Sequence, residues 1–444
     1  MVSVFKIHEG KLLNTFLLTS LLSLLMGVLA IAVTLFCRAI GGSGYFNVYY
    51  WSLSGHGFSM LGLWVPSIIA YFFINENRGI LKKKIHQSIL AFGICMFAFS
   101  QLGVLVSYFF VGSTQLTRFI LTPNSTHLIF FFLLNSFSQV IIFFMISFGL
   151  STLLKETKEK ETKLNLYVGI LASLSLAVSA GFSNVLLQRG FWQDEWSEHL
   201  WLPLGHFSMQ AITMVLYHLW SLRFLKNQEQ FVTIRLCLYL GYPLFVFLGY
   251  VHLFPELFRV NVVGHWEDRY VWIPAISSLF FTLYLSFFIF RFFKKDNVVY
   301  ILSFLLFVLV GGVTGLKIIA DLLFKTRVLD TLFMPGHFHP LLLGGFTLSM
   351  IFYLYDDLRL SSLKVQRVNN IFFGAFLVGV SSFSFLLMYL GLGRSLRRHP
   401  VLVDLRIHNL SWVLLGLSGV AIVSILGLVL RLVALKANKS SGSP

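Results

Sequence analysis

Long apolar segments recur along the whole chain, and they constrain the fold more than any other feature. Crossing ~30 Å of membrane hydrocarbon requires about 20 consecutive apolar residues in an α-helix. The 444-residue chain contains twelve such segments, at residues 13–37, 50–74, 89–112, 127–154, 164–187, 202–222, 233–254, 270–290, 298–323, 334–355, 370–392 and 409–430. We therefore predict an all-α, polytopic membrane protein with about twelve transmembrane helices.

The composition agrees with that class. Hydrophobic residues make up 57% of the chain and charged residues only 12%, and no linker or internal repeat is visible. We expect a single membrane domain over residues 1–444, with a cofactor-binding core at about residues 50–435. The first apolar segment is too long, and too poor in small residues at a cleavage site, to be a removable signal peptide.

The charged residues predict how the chain is oriented. If the N-terminus is cytoplasmic, most of the 34 Lys and Arg residues fall on the cytoplasmic side, including those of LKKKIHQ, KETKEKETK and RFFKKDN. The positive-inside rule requires this bias, and it places both termini in the cytoplasm. The net charge of +16 is then explained by topology and by contact with anionic lipid, not by nucleic-acid binding.

Five of the thirteen histidines are predicted to lie at a similar depth in the outer half of the membrane. They are His56 in the second segment, His206 in the sixth, His252 in the seventh, and His337 and His339 in the tenth. Ligand-capable side chains inside a membrane span are costly and point to function. Five of them in one layer favour a bound metal or cofactor over separate polar contacts.

The pair His337 and His339 is the most informative of these positions. Residues i and i+2 of an α-helix lie about 200° apart around its axis. The two imidazoles therefore face opposite sides of the helix and cannot bind one metal together. Since imidazole is the usual axial ligand of haem iron, the spacing indicates a helix with a separate cofactor on each side.

Three stretches of sequence resemble subunit I of the haem–copper oxidoreductases. Residues 306–339, LFVLVGGVTGLKIIADLLFKTRVLDTLFMPGHFH, look like the ninth span, outer loop and tenth span of that family. Residues 55–72, GHGFSMLGLWVPSIIAYF, resemble its second span. Residues 391–400, GLGRSLRRHP, are similar to the Arg-Arg loop that follows its eleventh span.

The resemblance implies two haems with different coordination. His56 and His339 would be the two axial ligands of a low-spin haem, which passes electrons and binds no gas. His337 would be the single ligand of a high-spin haem, whose other face is open to substrate. Arg397 and Arg398 would contact haem propionates, because a guanidinium group matches the geometry of a carboxylate.

The second metal is where the sequence departs from the family pattern. The family's copper takes one histidine from the sixth span and an adjacent histidine pair from the seventh. Here His206 and His252 are present, but Val251 stands at the position of the third ligand. We therefore expect copper at a site that lacks one ligand, with His337, His206 and His252 as the catalytic residues.

The resemblance implies the catalytic subunit of a respiratory complex in a bacterial inner membrane. A partner subunit, cytochrome c or quinol would supply electrons for the reduction of O2 to water. Reduction of nitric oxide stays open, because Gln210 replaces a family tyrosine and no mid-membrane Asp or Glu offers a proton relay. A non-catalytic gas-sensing or haem-handling protein is the alternative from another class, and Val251 is its best support.

Overall fold

Helices account for almost all of the chain that the structure describes. The computed structural model describes residues 9–41, 45–77, 84–110, 126–188, 310–324, 331–357, 363–393 and 405–441, and several positions between 208 and 219. Within these residues there is no β-strand. Eight of the described helices are long and apolar enough to cross a membrane: Leu13–Ile40, Gly55–Glu76, His86–Val104, Phe130–Glu156, Thr162–Gly181, Phe333–Tyr355, Val368–Leu392 and Asn409–Leu435.

These eight helices coincide with the first five and the last three predicted segments. The tenth predicted segment, residues 334–355, corresponds to the helix Phe333–Tyr355. The sixth segment is described only at positions between 208 and 219, and the ninth only from residue 310, while the seventh and eighth lie outside the described residues. The all-α membrane class is confirmed for the described part of the chain, and the count of twelve spans stays a prediction.

The chain divides into two compact units. Unit 1 consists of Met1–Gly27 and Ser54–Ser278, and unit 2 consists of Val28–Leu53 and Leu279–Pro444.

The described α-helices are, in chain order, α1 (Glu9–Ile40), α2 (Phe46–Gly57), α3 (Val65–Glu76), α4 (Lys84–Phe110), α5 (Thr126–Glu156), α6 (Lys160–Gln188), α7 (Gly311–Phe324), α8 (Phe333–His339), α9 (Leu348–Asp357), α10 (Leu363–Leu392) and α11 (Leu405–Ser441). Two π-helical segments, π1 (Phe58–Trp64) and π2 (Pro340–Thr347), join α2 to α3 and α8 to α9.

Among the described helices of unit 1, α3 is the most enclosed. Every residue from Val65 to Ile74 is buried, as expected for a helix that is apolar on all sides and packed on all sides. It contacts α5, which also packs against α4 and α6. The segment that follows His56 is therefore held inside the unit.

Glycines bring α8 close to α10 in unit 2. A Cβ atom on Gly336 would lie 2.8 Å from the backbone nitrogen of Met388 and 2.9 Å from the carbonyl oxygen of Ser384. A Cβ atom on Gly391 would meet the backbone of Phe333. Small residues allow membrane helices to approach closely, which matters because lipid provides no hydrophobic force between them. The position of α8 is therefore determined by backbone contact with α10.

Segments π1 and π2 each follow a predicted haem ligand. Segment π1 begins two residues after His56, and π2 begins immediately after His339. Proline explains these positions, because it lacks an N–H group and its ring clashes with the carbonyl four residues earlier. Pro340 is the first residue of π2, and Pro66 lies just after π1 as the second residue of α3. Short π-helical segments are frequent at functional sites.

A polar side chain of α5 stabilises the interruption at π1. Pro66 cannot donate a helical hydrogen bond to the carbonyl of Gly62, and Gln139 Nε2 donates to that oxygen over 3.1 Å. Gln139 Nε2 also donates to Asn135 Oδ1 over 2.7 Å, and Asn135 Nδ2 donates to Ser100 Oγ over 3.2 Å. An unsatisfied backbone group in hydrocarbon costs several kcal/mol. This polar chain therefore compensates for the proline.

The substitution Gly336→Ala tests the contact between α8 and α10. The added methyl group meets the backbone of α10, and overpacking of this kind costs about 1–3 kcal/mol. We expect the midpoint of thermal unfolding in detergent to fall. Gly374→Ala on α10 is the matched control, because a Cβ atom there meets nothing within 4 Å. Equal midpoints for the two variants would contradict the close approach.

Candidate functional site

Helix α8 presents its two histidines to different neighbouring helices. His337 is buried, with 5% of its surface exposed, and its Nδ1 lies 2.7 Å from Thr314 Oγ1 on α7. The ring of His339 packs edge-to-face on Phe383 of α10, with the ring centroids 5.3 Å apart. These contacts agree with the opposite orientation predicted from the i, i+2 spacing.

Backbone carbonyl groups hold the rings of His56 and His339. His56 Nδ1 lies 2.8 Å from the Gly27 carbonyl oxygen, and His339 Nδ1 lies 2.5 Å from the Pro335 carbonyl oxygen. Because a carbonyl oxygen only accepts, Nδ1 carries the proton of the neutral ring and the lone pair lies on Nε2. A histidine that binds a metal almost always donates its other N–H to an oxygen in this way.

Glycine at position 27 makes the contact with His56 possible. A Cβ atom on Gly27 would lie 2.6 Å from Met60 Sδ and 3.4 Å from Ser59 Cβ, both in π1. A larger residue would displace the side chain of Met60. The absence of a side chain at Gly27 therefore lets α1 approach the segment that carries His56.

A hydroxyl group fixes the ring of His337 in the same tautomer. Thr314 Oγ1 donates its single proton to the carbonyl oxygen of Val310, and the carbonyl oxygen of Gly311 lies 3.3 Å away. Because the hydroxyl hydrogen is directed to Val310, we infer that the Thr314 oxygen accepts from His337 Nδ1–H. The lone pair of His337 then lies on Nε2, as in His56 and His339. All three predicted haem ligands share one tautomer.

Both ring nitrogens of His218 form hydrogen bonds with protein groups. It is fully buried at 0% exposure, and its Nδ1 donates to the Asn165 carbonyl oxygen over 2.9 Å. Its Nε2 accepts from Asn77 Nδ2 over 3.3 Å, and its ring stacks on Phe73 with the centroids 5.2 Å apart. From these contacts we infer that His218 has a structural role.

The remaining predicted site residues lie outside the described residues. They are the copper-site positions His206, Val251 and His252 and the propionate-binding residues Arg397 and Arg398. Within the described part of the chain, no group of three or more His, Cys, Asp or Glu side chains is placed to hold a metal ion. The copper site and the arginine contacts therefore stay predictions.

Sequence reasoning missed three residues, of which Thr314 and Gly27 contact predicted haem ligands and Gln139 contacts π1, the segment after His56. Thr314 belongs to the GGVTG motif of α7, so a local signal was present. Gly27 and Gln139 contact residues far away in the sequence, and no local pattern marks either of them. Such contacts depend on how the helices pack against each other, and the hydrophobic pattern of the sequence does not reveal that packing.

No protein-family model matches this chain, and no curated protein matches it. The function must therefore be inferred from its own residues and their contacts. The feature of the described residues that bears most on function is the set of three histidines whose Nδ1 atoms are held by protein oxygens.

The substitution His218→Ala tests whether this buried histidine is structural. It opens a cavity beside Phe73 and removes the hydrogen bonds to Asn77 and Asn165, which together cost about 2–4 kcal/mol. We expect a lower unfolding midpoint, comparable to that of Leu219→Ala, a fully buried neighbour. Haem bound per folded chain, measured as the pyridine haemochrome, should not change. Loss of haem from His218→Ala but not from Leu219→Ala would make His218 a ligand.

Proposed function

We propose that the chain is the catalytic subunit of a haem–copper-type oxidoreductase of a bacterial inner membrane. It passes electrons from a low-spin haem to a high-spin haem and copper centre, which reduces O2 to water. The observation that carries this proposal is helix α8, whose two imidazoles contact different helices with each Nδ1 held by an oxygen. That arrangement supports one iron ligand on each side of a single helix.

The chemistry of the three histidines fits two haems. Haem held by two imidazoles supplies electron transfer, and haem held by one supplies an open position at which a gas is reduced. His56 and His339, both held by backbone carbonyls, are the ligands that we propose for the low-spin haem. His337, held by a hydroxyl, is the ligand that we propose for the high-spin haem.

Other parts of the proposal come from the sequence resemblance. His206 and His252 would bind copper, and Arg397 and Arg398 would bind the haem propionates. A partner subunit, cytochrome c or quinol would deliver electrons, because the chain has no CxxCH motif for a covalently attached haem of its own. Both termini would face the cytoplasm.

Replacing each histidine in turn distinguishes the two proposed haem sites, because each variant should lose a different spectroscopic signal. His56→Ala and His339→Ala each remove one axial bond, so we expect the low-spin signal in electron paramagnetic resonance spectra of the oxidised protein to disappear. His337→Ala should keep that signal and lose the carbon monoxide difference spectrum of the reduced protein. His408→Ala, at the start of α11, is the control and should keep both. A normal low-spin signal in His56→Ala or His339→Ala would contradict the assignment.

The copper content of the purified protein distinguishes the proposed oxidoreductase from a haem protein that has no catalytic activity. With Val251 at the third position, the copper site has two predicted imidazole ligands, and affinity depends on ligand number and geometry. We expect copper that a chelator removes readily, and Val251→His should raise both copper content and O2 turnover. Val251→Ile is the control, because it adds bulk without adding a ligand.

Two other outcomes would favour the alternatives. Haem without copper, in both the natural protein and Val251→His, would support the gas-sensing or haem-handling alternative. Turnover with nitric oxide but not with O2 would support a nitric oxide reductase of the same superfamily. Tightly bound copper in the natural protein would show that a further ligand completes the site.

A further inference from the structure

Thr314 differs from the other groups that hold the predicted haem ligands. The acceptors for His56 and His339 are backbone carbonyls, whereas the acceptor for His337 is a side-chain hydroxyl. The hydroxyl donates its own hydrogen bond to the carbonyl of Val310, one turn earlier and just before α7 begins. A short chain of hydrogen bonds therefore runs from the His337 ring through Thr314 to the Val310 carbonyl.

Such an acceptor affects the bond that an imidazole makes to a metal. Hydrogen bonding at Nδ1–H fixes the direction of the ring and increases the electron density that Nε2 donates. A stronger donor stabilises ferric iron relative to ferrous iron and lowers the reduction potential, because hydrogen bonds to the axial ligand tune haem iron. Of the three acceptors, only the Thr314 hydroxyl belongs to a side chain and can be removed by substitution.

The surroundings of the His337 ring leave room for this contact. Gly315 follows Thr314 in α7, and a Cβ atom there would lie 3.5 Å from His337 Cε1. The ring thus lies against the backbone of α7 with 5% of its surface exposed. In a site with so little water, a lost hydrogen bond is not readily replaced by solvent.

We propose that Thr314 is a positioning residue, whose hydroxyl orients His337 and sets the strength of its bond to the high-spin haem iron. This inference rests on the proposed function, since it assumes that His337 binds haem. It predicts that the hydroxyl, and not the size of residue 314, controls the reduction potential and the iron–histidine bond.

The test uses the whole chain, purified in detergent and reduced without oxygen. Thr314→Val keeps the shape of the side chain and removes the hydroxyl. Resonance Raman spectra should show a lower iron–histidine stretching frequency, redox titration should show a higher potential, and haem should be held about 10-fold more weakly at this site. Thr314→Ser restores the hydroxyl and should restore all three values.

Thr34→Val is the matched control. Thr34 also donates to a carbonyl one turn earlier, that of Ala30, and contacts a second polar side chain, Ser52. Its loss should leave the iron–histidine frequency unchanged. If Thr314→Val does not accumulate, Thr314→Cys, whose sulfur is a weaker acceptor, should give a smaller shift in the same direction.

The outcomes separate this inference from the proposed function. A natural protein with no iron–histidine band in its reduced state would contradict the assignment of His337 as a haem ligand. A normal band in the natural protein, with the same frequency in Thr314→Val, would overturn only the role of Thr314. A shift in Thr314→Val that Thr314→Ser does not reverse would show that packing, not the hydroxyl, is responsible.

Discussion

The angle between residues i and i+2 of an α-helix is the constraint on which the candidate site depends. It directs the imidazoles of His337 and His339 toward different neighbours, one toward α7 and the other toward α10. The direction is fixed only because α8 cannot rotate, and Gly336 prevents rotation by bringing its backbone against that of α10. A seven-residue helix in this way directs two imidazoles to two different neighbouring helices.

Hydrocarbon makes any interruption of a membrane helix costly, because backbone groups there have no water to bond. Nevertheless the helices that carry His56 and His339 are both interrupted, two residues after His56 and immediately after His339. Pro66 and Pro340 explain where the interruptions occur, and Gln139 compensates for one of them. Such costly features persist where function requires a particular backbone position, which supports a ligand role for both histidines.

Features that depend on local geometry could be predicted from the sequence, whereas features that depend on helix packing could not. The predicted segment 334–355 agrees with the helix Phe333–Tyr355, because length and apolarity are local. The opposite orientation of the HFH pair follows from helix geometry alone. The acceptor of His56 lies 29 residues away and that of His337 lies 23 residues away, so no short pattern contains them.

An electron cryo-microscopy map of the purified chain would test the central claim most directly. It should show a planar macrocycle on each side of α8, with one iron bonded to Nε2 of His337 and the other to Nε2 of His339. The Nδ1 atoms should still face the Thr314 hydroxyl and the Pro335 carbonyl. A map in which both imidazoles contact only protein or lipid, with no macrocycle beside α8, would contradict the proposed function.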